Sequence, residues 1–311
     1  MTALISHFRH SCRHAASGYR TTIYDALLRI LRFARRRRLE YPVVTTRPCW
    51  FCNRSGHAKM TTEHAHPNWV LELLPGDEKS GTTIARSSHN ADRQWGSKRQ
   101  TGVRVKAICE QCNTGWMSRL ENDARKIMAP FMVESDKNRI CRSEQLFIEF
   151  WTLKTAMVFD AVTDAPRQFF SVEERTHLAT TQRLPTSKNY YVFLAKNTGP
   201  REIWADHYSF GMTMDPNGAR NFVGRFYCAN FVYGLLAIQL AMCRTSVPPA
   251  EIWPKLDPSK LDIHLEITGG ERDQEWPPAV ALDDGKLTEF QRRWILPPNP
   301  GPLNLWRPSE S

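Results

Sequence analysis

Three strings decide how the chain is read: PCWFCNRSGHAKMTTEHAHPNWV (48–70), GVRVKAIC (102–109) and EQCNTGWMSRLEND (110–123). The first carries a CxxC pair, Cys49 and Cys52, followed by Glu63-His64. The second and third share another CxxC, Cys109 and Cys112, which runs straight into Asn113. Two such knuckles present four thiolates tetrahedrally, the closed coordination of a structural zinc. Eight cysteines in 311 residues are too few for a dense disulfide framework. In a reducing, cytoplasmic compartment the paired ones favour zinc, the alternative being two redox CxxC motifs. Fifty-six residues separate Cys52 from Cys109, so the intervening fold has to bring the knuckles together. Glu63 and Asn113 offer hard oxygen ligands of the kind that suit Mg²⁺ or Mn²⁺. His64, with a reference pKa of about 6.5, can take a proton from water at neutral pH. Asn113 also reads as the N-cap of the helix after it, and capping does not exclude metal binding.

Working outward, NWVLELL (68–74) reads as one helical stretch stopped by Pro75-Gly76, and GVRVKAIC alternates as a half-buried strand does. The polar segment 76–101 between them reads as an inserted loop. Arg86, Arg93, Lys98 and Arg99 surround Trp95 there, a pattern that can hold a phosphate backbone and stack a base. From Trp116 the spacing of Leu120, Ala124 and Ile127 marks an amphipathic helix, ended by Pro130. Beyond 136 the character changes. A helix carries Phe147, Phe150, Trp151, the Lys154 stem, Met157 and Val158 on its apolar face, and Ser143 can cap it. Ser171-Val-Glu-Glu174 has capping-box spacing for another helix. Strands are expected at 190–195, 202–214 and 221–234, and a short helix near 285–294, while LLAIQLAM (235–242) suits either a strand or a helix. The class is α+β, in three parts: a basic arm (1–40), a metal-binding domain (41–135), and an α+β domain (136–311) whose motifs name no role.

The net charge of +10 is uneven. Residues 1–40 hold nine Arg against Asp25 and Glu40, and residues 41–135 hold thirteen Lys or Arg against nine acids. That distribution points to a polyanion partner for the first 135 residues. TIYDALLRILRF (22–33) forms a basic amphipathic pattern suited to nucleic acid, to an anionic membrane surface or to a leader. The longest apolar run, FVYGLLAIQLAM (231–242), falls short of the roughly 20 residues a membrane span needs, so a soluble protein is expected.

The order CxxC, acid-His, strand, CxxC-Asn, helix resembles the HNH, or ββα-metal, nucleases, and most closely the zinc-stapled form seen in phage junction-resolving endonucleases. TTEHAHPNWV (61–70) and ICEQCNTGWMSRLE (108–121) look like a bacterial and phage group of HNH-type proteins, in which EH..P.W precedes C..CN.GWM..LE. The resemblance covers residues 49–128. It implies that Cys49, Cys52, Cys109 and Cys112 hold a structural zinc and that His64 is the general base. It further implies that Glu63 and Asn113 hold one catalytic Mg²⁺ or Mn²⁺. The implied activity is an endonuclease hydrolysing phosphodiester bonds, with DNA preferred to RNA as partner. The alternative is an HNH-like module that binds nucleic acid or protein without cutting.

Three departures from the family pattern stand out. Glu63 replaces the commoner Asp, 44 residues lie between His64 and Cys109, and a final helix His is missing. Glu121, on the Asn113 face of the helix, is a candidate additional ligand and otherwise a structural glutamate. His66 is read either as orienting a phosphate or as packed into its turn.

Overall fold

The computed structural model describes residues 47–55, 59–74, 82–87, 90–96, 104–163, 168–186, 189–199, 203–214, 221–245, 264–292 and 303–305. For 82–87, 90–96, 212–214, 221–223, 292 and 303–305 it describes the backbone alone. The basic arm, its amphipathic helix and the side chains around Trp95 lie outside the described residues.

The chain forms β1 (Met60–His64), α1 (Asn68–Leu73), β2 (Thr82–Ser87), β3 (Asn90–Gly96) and β4 (Arg104–Cys109). A short helical turn, α2 (Glu110–Cys112), and a kinked turn, Asn113–Met117, lead into α3 (Ser118–Met132). Then come β5 (Arg139–Ile140), α4 (Arg142–Asp160), α5 (Val172–Thr181) and β6 (Tyr190–Lys196). The long strands β7 (Ile203–Met214), β8 (Asn221–Tyr233) and β9 (Leu236–Thr245) follow. Last are β10 (Leu265–Glu266), β11 (Gln274–Glu275), α6 (Asp284–Arg292) and β12 (Leu303–Leu305). The class is α+β, as the sequence indicates.

The large sheet has the order β10-β6-β9-β8-β7-β2-β3, with β12 paired to the end of β7. Its strands alternate in the way a sheet buried on both faces requires. On β6, Tyr190, Val192 and Leu194 join one core while Phe193 and Ala195 join the other. The first core is covered by α4, most of whose side chains are buried. The second core is closed by Leu287 and Phe290 of α6. LLAIQLAM resolves as strand: β9 follows β8 through a tight turn at Gly234, where φ is +57°. A Cβ on Gly234 would stand 2.2 Å from the Met132 carbonyl oxygen, so only glycine fits this turn.

Four expectations are corrected. Within 76–101, residues 82–87 and 90–96 are strands rather than loop: β2 pairs antiparallel with β3 and runs parallel to β7 over Trp204–Ser209. β3 lies at the sheet edge, where polar and charged residues deter further pairing, so NADRQWG reads as loop; TTIARS, between β3 and β7, has Ile84 as its one large apolar residue. The division after residue 135 does not separate two cores. Arg47–Ser311 is one compact unit, and its main core runs from Cys49 to Trp276. Pro130 sits inside α3, which continues to Met132. The Leu235 N–H donates to the carbonyl of Met132, the last residue of α3, at 2.9 Å. The capping box of α5 forms as expected, with Ser171 Oγ accepting from the Glu174 N–H and Glu174 Oε2 accepting from the Ser171 N–H. On α4 the residue before the helix is Cys141 rather than Ser143, and its N–H donates to Glu144 Oε2 at 2.9 Å.

Candidate metal centre

The first knuckle closes because Asn53 adopts a left-handed backbone, φ +55°, which asparagine tolerates better than most residues. Its N–H donates to the Cys49 carbonyl, and the Cys49 N–H donates to that of Arg54, each at 2.9 Å. The Trp50 N–H donates to the Ala107 carbonyl at 2.7 Å, which docks the knuckle on β4 beside the second cysteine pair. All four sulfurs then lie within 4.8 Å of one another, and Cys52 Sγ is 3.7 Å from Cys109 Sγ. Ligands on a tetrahedron of about 2.3 Å radius stand about 3.8 Å apart, so the spacing fits zinc. The cysteines are free thiols. The hydrogen bond from the Cys112 thiol pulls Cys49 down to about 4, while the same bond, with burial, pushes Cys112 up. Cys49 is thus the corner most inclined to the thiolate form that a metal ligand requires.

The knuckle is tied to the remainder of the unit through Trp50. Its indole N–H donates to the Met157 carbonyl of α4 at 2.8 Å. The Arg175 guanidinium of α5 lies 3.4 Å over its ring and donates to its carbonyl oxygen at 2.7 Å.

β1 and β4 form a separate antiparallel pair, with Glu63 opposite Val105 and His64 opposite Arg104. The strand pair runs into α2 and the kinked turn, which is bent at Gly115 (φ −88°, ψ −109°). Asn113 sits in this turn with helical backbone (φ −66°, ψ −54°), while Cys109 takes the extended capping position. It is therefore not an N-cap. Its Nδ2 donates instead to Thr61 Oγ1 at 3.0 Å, and Thr61 Oγ1 donates to the Ile108 carbonyl at 3.0 Å. The register shift between Thr61 and Glu63 places the extra residue on β4, so alternation on β1 keeps Thr61 and Glu63 on one face. Asn113 is thereby pinned against the face that carries Glu63, with its carbonyl oxygen still able to act as a ligand.

Burial, opposed by Lys154 and reinforced by Glu121, raises the pKa of Glu63. His64 moves the other way, lowered chiefly by burial and then by Arg104. Its Nε2 is enclosed and has no hydrogen-bond partner among the described residues. His66 is buried, edge-on to Phe159 and Tyr233, and burial holds it down at about 4. It is the turn-packed histidine rather than a phosphate ligand.

Glu121 faces inward. Its Oε2 accepts from the indoles of Trp69 at 2.7 Å and Trp151 at 3.0 Å, and its Oε1 pairs with Lys154 Nζ. Lys154 is 2% exposed and Glu121 16%. Sequence reasoning gave Lys154 only an aliphatic role. The available signal was its position, a cation one turn after Trp151 in the middle of an apolar stripe.

Among the described residues no helix is long and apolar enough to cross a membrane. No family model, curated protein or solved structure matches the chain.

Proposed function

We propose that the chain is a metal-dependent endonuclease of the HNH kind, hydrolysing nucleic-acid phosphodiester bonds, with DNA the preferred substrate. The observation that carries this reading is the Asn113–Thr61 hydrogen bond of 3.0 Å. It sets a carboxamide from the helix beside the strand face of Glu63, next to four clustered thiols. The donors suit the groups implied. Four thiolates match zinc, and a carboxylate with an amide oxygen matches a hard divalent cation. A Mg²⁺ or Mn²⁺ held by Glu63 and Asn113 would stabilise charge developing on the phosphate and on the leaving 3′-oxygen.

The remaining work falls to the protein. His64, kept neutral near pH 7 by burial and by Arg104, accepts a proton from water at its unpartnered Nε2. The excess of Lys and Arg in residues 1–135 attracts the phosphate backbone, with binding that weakens steeply as salt rises. One observation favours a module that binds without cutting: His64 Nε2 is enclosed, so attacking water needs a path to it.

Incubating the protein with supercoiled plasmid or structured RNA, in Mg²⁺, Mn²⁺ or chelator, separates the two readings. The nuclease reading expects metal-dependent cutting that falls roughly 10²–10⁴-fold in His64→Ala. Intact zinc content with no cutting of either substrate favours the binding module.

A further inference from the structure

Two carboxylates close to one another, Glu63 and Glu121, are a common arrangement for gripping a divalent cation. Here one of them is already occupied by the protein itself. Three donors from two helices converge on Glu121: Trp69 from α1, Trp151 and Lys154 from α4. They fill three of about four acceptor sites on the carboxylate. Lys154 is 2% exposed, and separating a desolvated pair strands a charge in the interior. A metal cannot recruit Glu121 without doing so. Among the described residues the ammonium has no hydrogen-bond partner besides Glu121, and its field extends to Glu63. Trp69 lies six residues after Glu63, so its bond to Glu121 also fixes the segment that leaves β1.

We propose that Lys154 is a built-in counter-cation: by neutralising Glu121 it withholds that carboxylate from metal coordination, leaving Glu63 and Asn113 as the protein ligands of a single divalent cation. Glu121 and Lys154 are then positioning residues for the site, supplied in part by the C-terminal half of the chain. The inference rests on the reading of Glu63 and Asn113 as ligands.

The charge logic gives opposite signs for the two single substitutions, which a purely structural ion pair does not. Lys154→Gln keeps a hydrogen-bond donor toward Glu121 and removes the positive charge, so Mn²⁺ binds about tenfold more tightly. Glu121→Gln leaves the ammonium unbalanced, so Mn²⁺ binds about tenfold more weakly. Lys154→Arg and the double substitution stay within about threefold of the wild type. The measurement is titration of zinc-loaded full-length protein with Mn²⁺, following free Mn²⁺ by electron paramagnetic resonance, with zinc content and circular dichroism confirming the fold. Either single variant that folds carries the sign on its own. Shifts of the two singles in the same direction, or of less than about twofold, overturn the inference while leaving the metal site in place. Failure of the wild type to bind Mn²⁺ overturns the Glu63–Asn113 reading and this inference with it.

Discussion

Two clusters hold the β1–β4 pair to the helices around it, and they solve the same problem in opposite ways. The four thiols gather four soft donors at a spacing that could hold a metal ion. The Glu121 cluster gathers a carboxylate, an ammonium and two indole N–H groups, and balances itself. One cluster has the donor set for an external ion, and the other draws on residues from α1, α3 and α4. The first should fail when its ion is withdrawn, and the second when its own charges are mismatched.

The largest effect is expected at the thiols. Cys112→Ser removes one ligand from a closed site, and structural zinc is worth roughly 10–16 kcal/mol of folding free energy in small zinc domains. Native mass spectrometry should find one zinc in the wild type and none in the variant. The variant should also lose its cooperative thermal transition, because Trp50 ties the knuckle to α4 and α5. A zinc-free variant that melts like the wild type would show that the two clusters do not share the load as described.

The Glu121 cluster is the next place to press. Lys154→Met leaves a carboxylate buried against two indoles without its cation, at a cost of roughly 3–5 kcal/mol. Combining it with Glu121→Gln should recover most of that loss, since an apolar or neutral replacement of a buried pair is often tolerated. Urea unfolding of the single and double variants checks this, and a double variant no more stable than the single would break the charge argument. Trp69→Phe keeps the ring and removes one donor to Oε2, for roughly 1.5–3 kcal/mol. Trp151 still serves that oxygen at 3.0 Å, which places the expected value at the lower end.

The two clusters also differ in how far they can be read from sequence. Metal ligands at CxxC spacing announce themselves because the chemistry constrains residues three apart, and all four cysteines meet as expected. Lys154 and Glu121 lie 33 positions apart, and neither is unusual locally. Only the crossing of α3 and α4 makes them partners. The role of Asn113 as a donor to Thr61 depends on a strand 52 positions earlier and replaces the cap that local rules suggest. The strands β2 and β3 are not legible in the sequence, because residues that keep the outer strand β3 from further pairing have the composition of a loop and β2 has one large apolar residue, Ile84. β7 and β8 were legible because their burial on two faces leaves long apolar and aromatic runs.

A third acid sharpens the contrast between charge that is paired and charge that is merely hydrogen-bonded. Asp160, at the end of the helix that carries Lys154, is 1% exposed. It accepts from the backbone N–H groups of Phe169 and Phe170 at 2.9–3.0 Å, while Arg225 and Arg175 act on it through their fields. These favour the carboxylate, yet burial outweighs them and raises its pKa to about 6, against about 3.9 when unfolded. The native state therefore holds this proton more tightly than the unfolded chain. Its contribution to stability is present in full below pH about 4 and is lost as pH rises through 6. Between pH 5 and pH 7 the loss amounts to about 1 kcal/mol. His66, lowered by burial, also changes protonation on unfolding over this range, so the measurable quantity is the difference between wild type and Asp160→Asn in urea unfolding at the two pH values. The wild type should lose about 1 kcal/mol more than the variant between pH 5 and 7. An equal loss in both would mean that the backbone donors and arginines already stabilise the charge as fully as Lys154 does for Glu121.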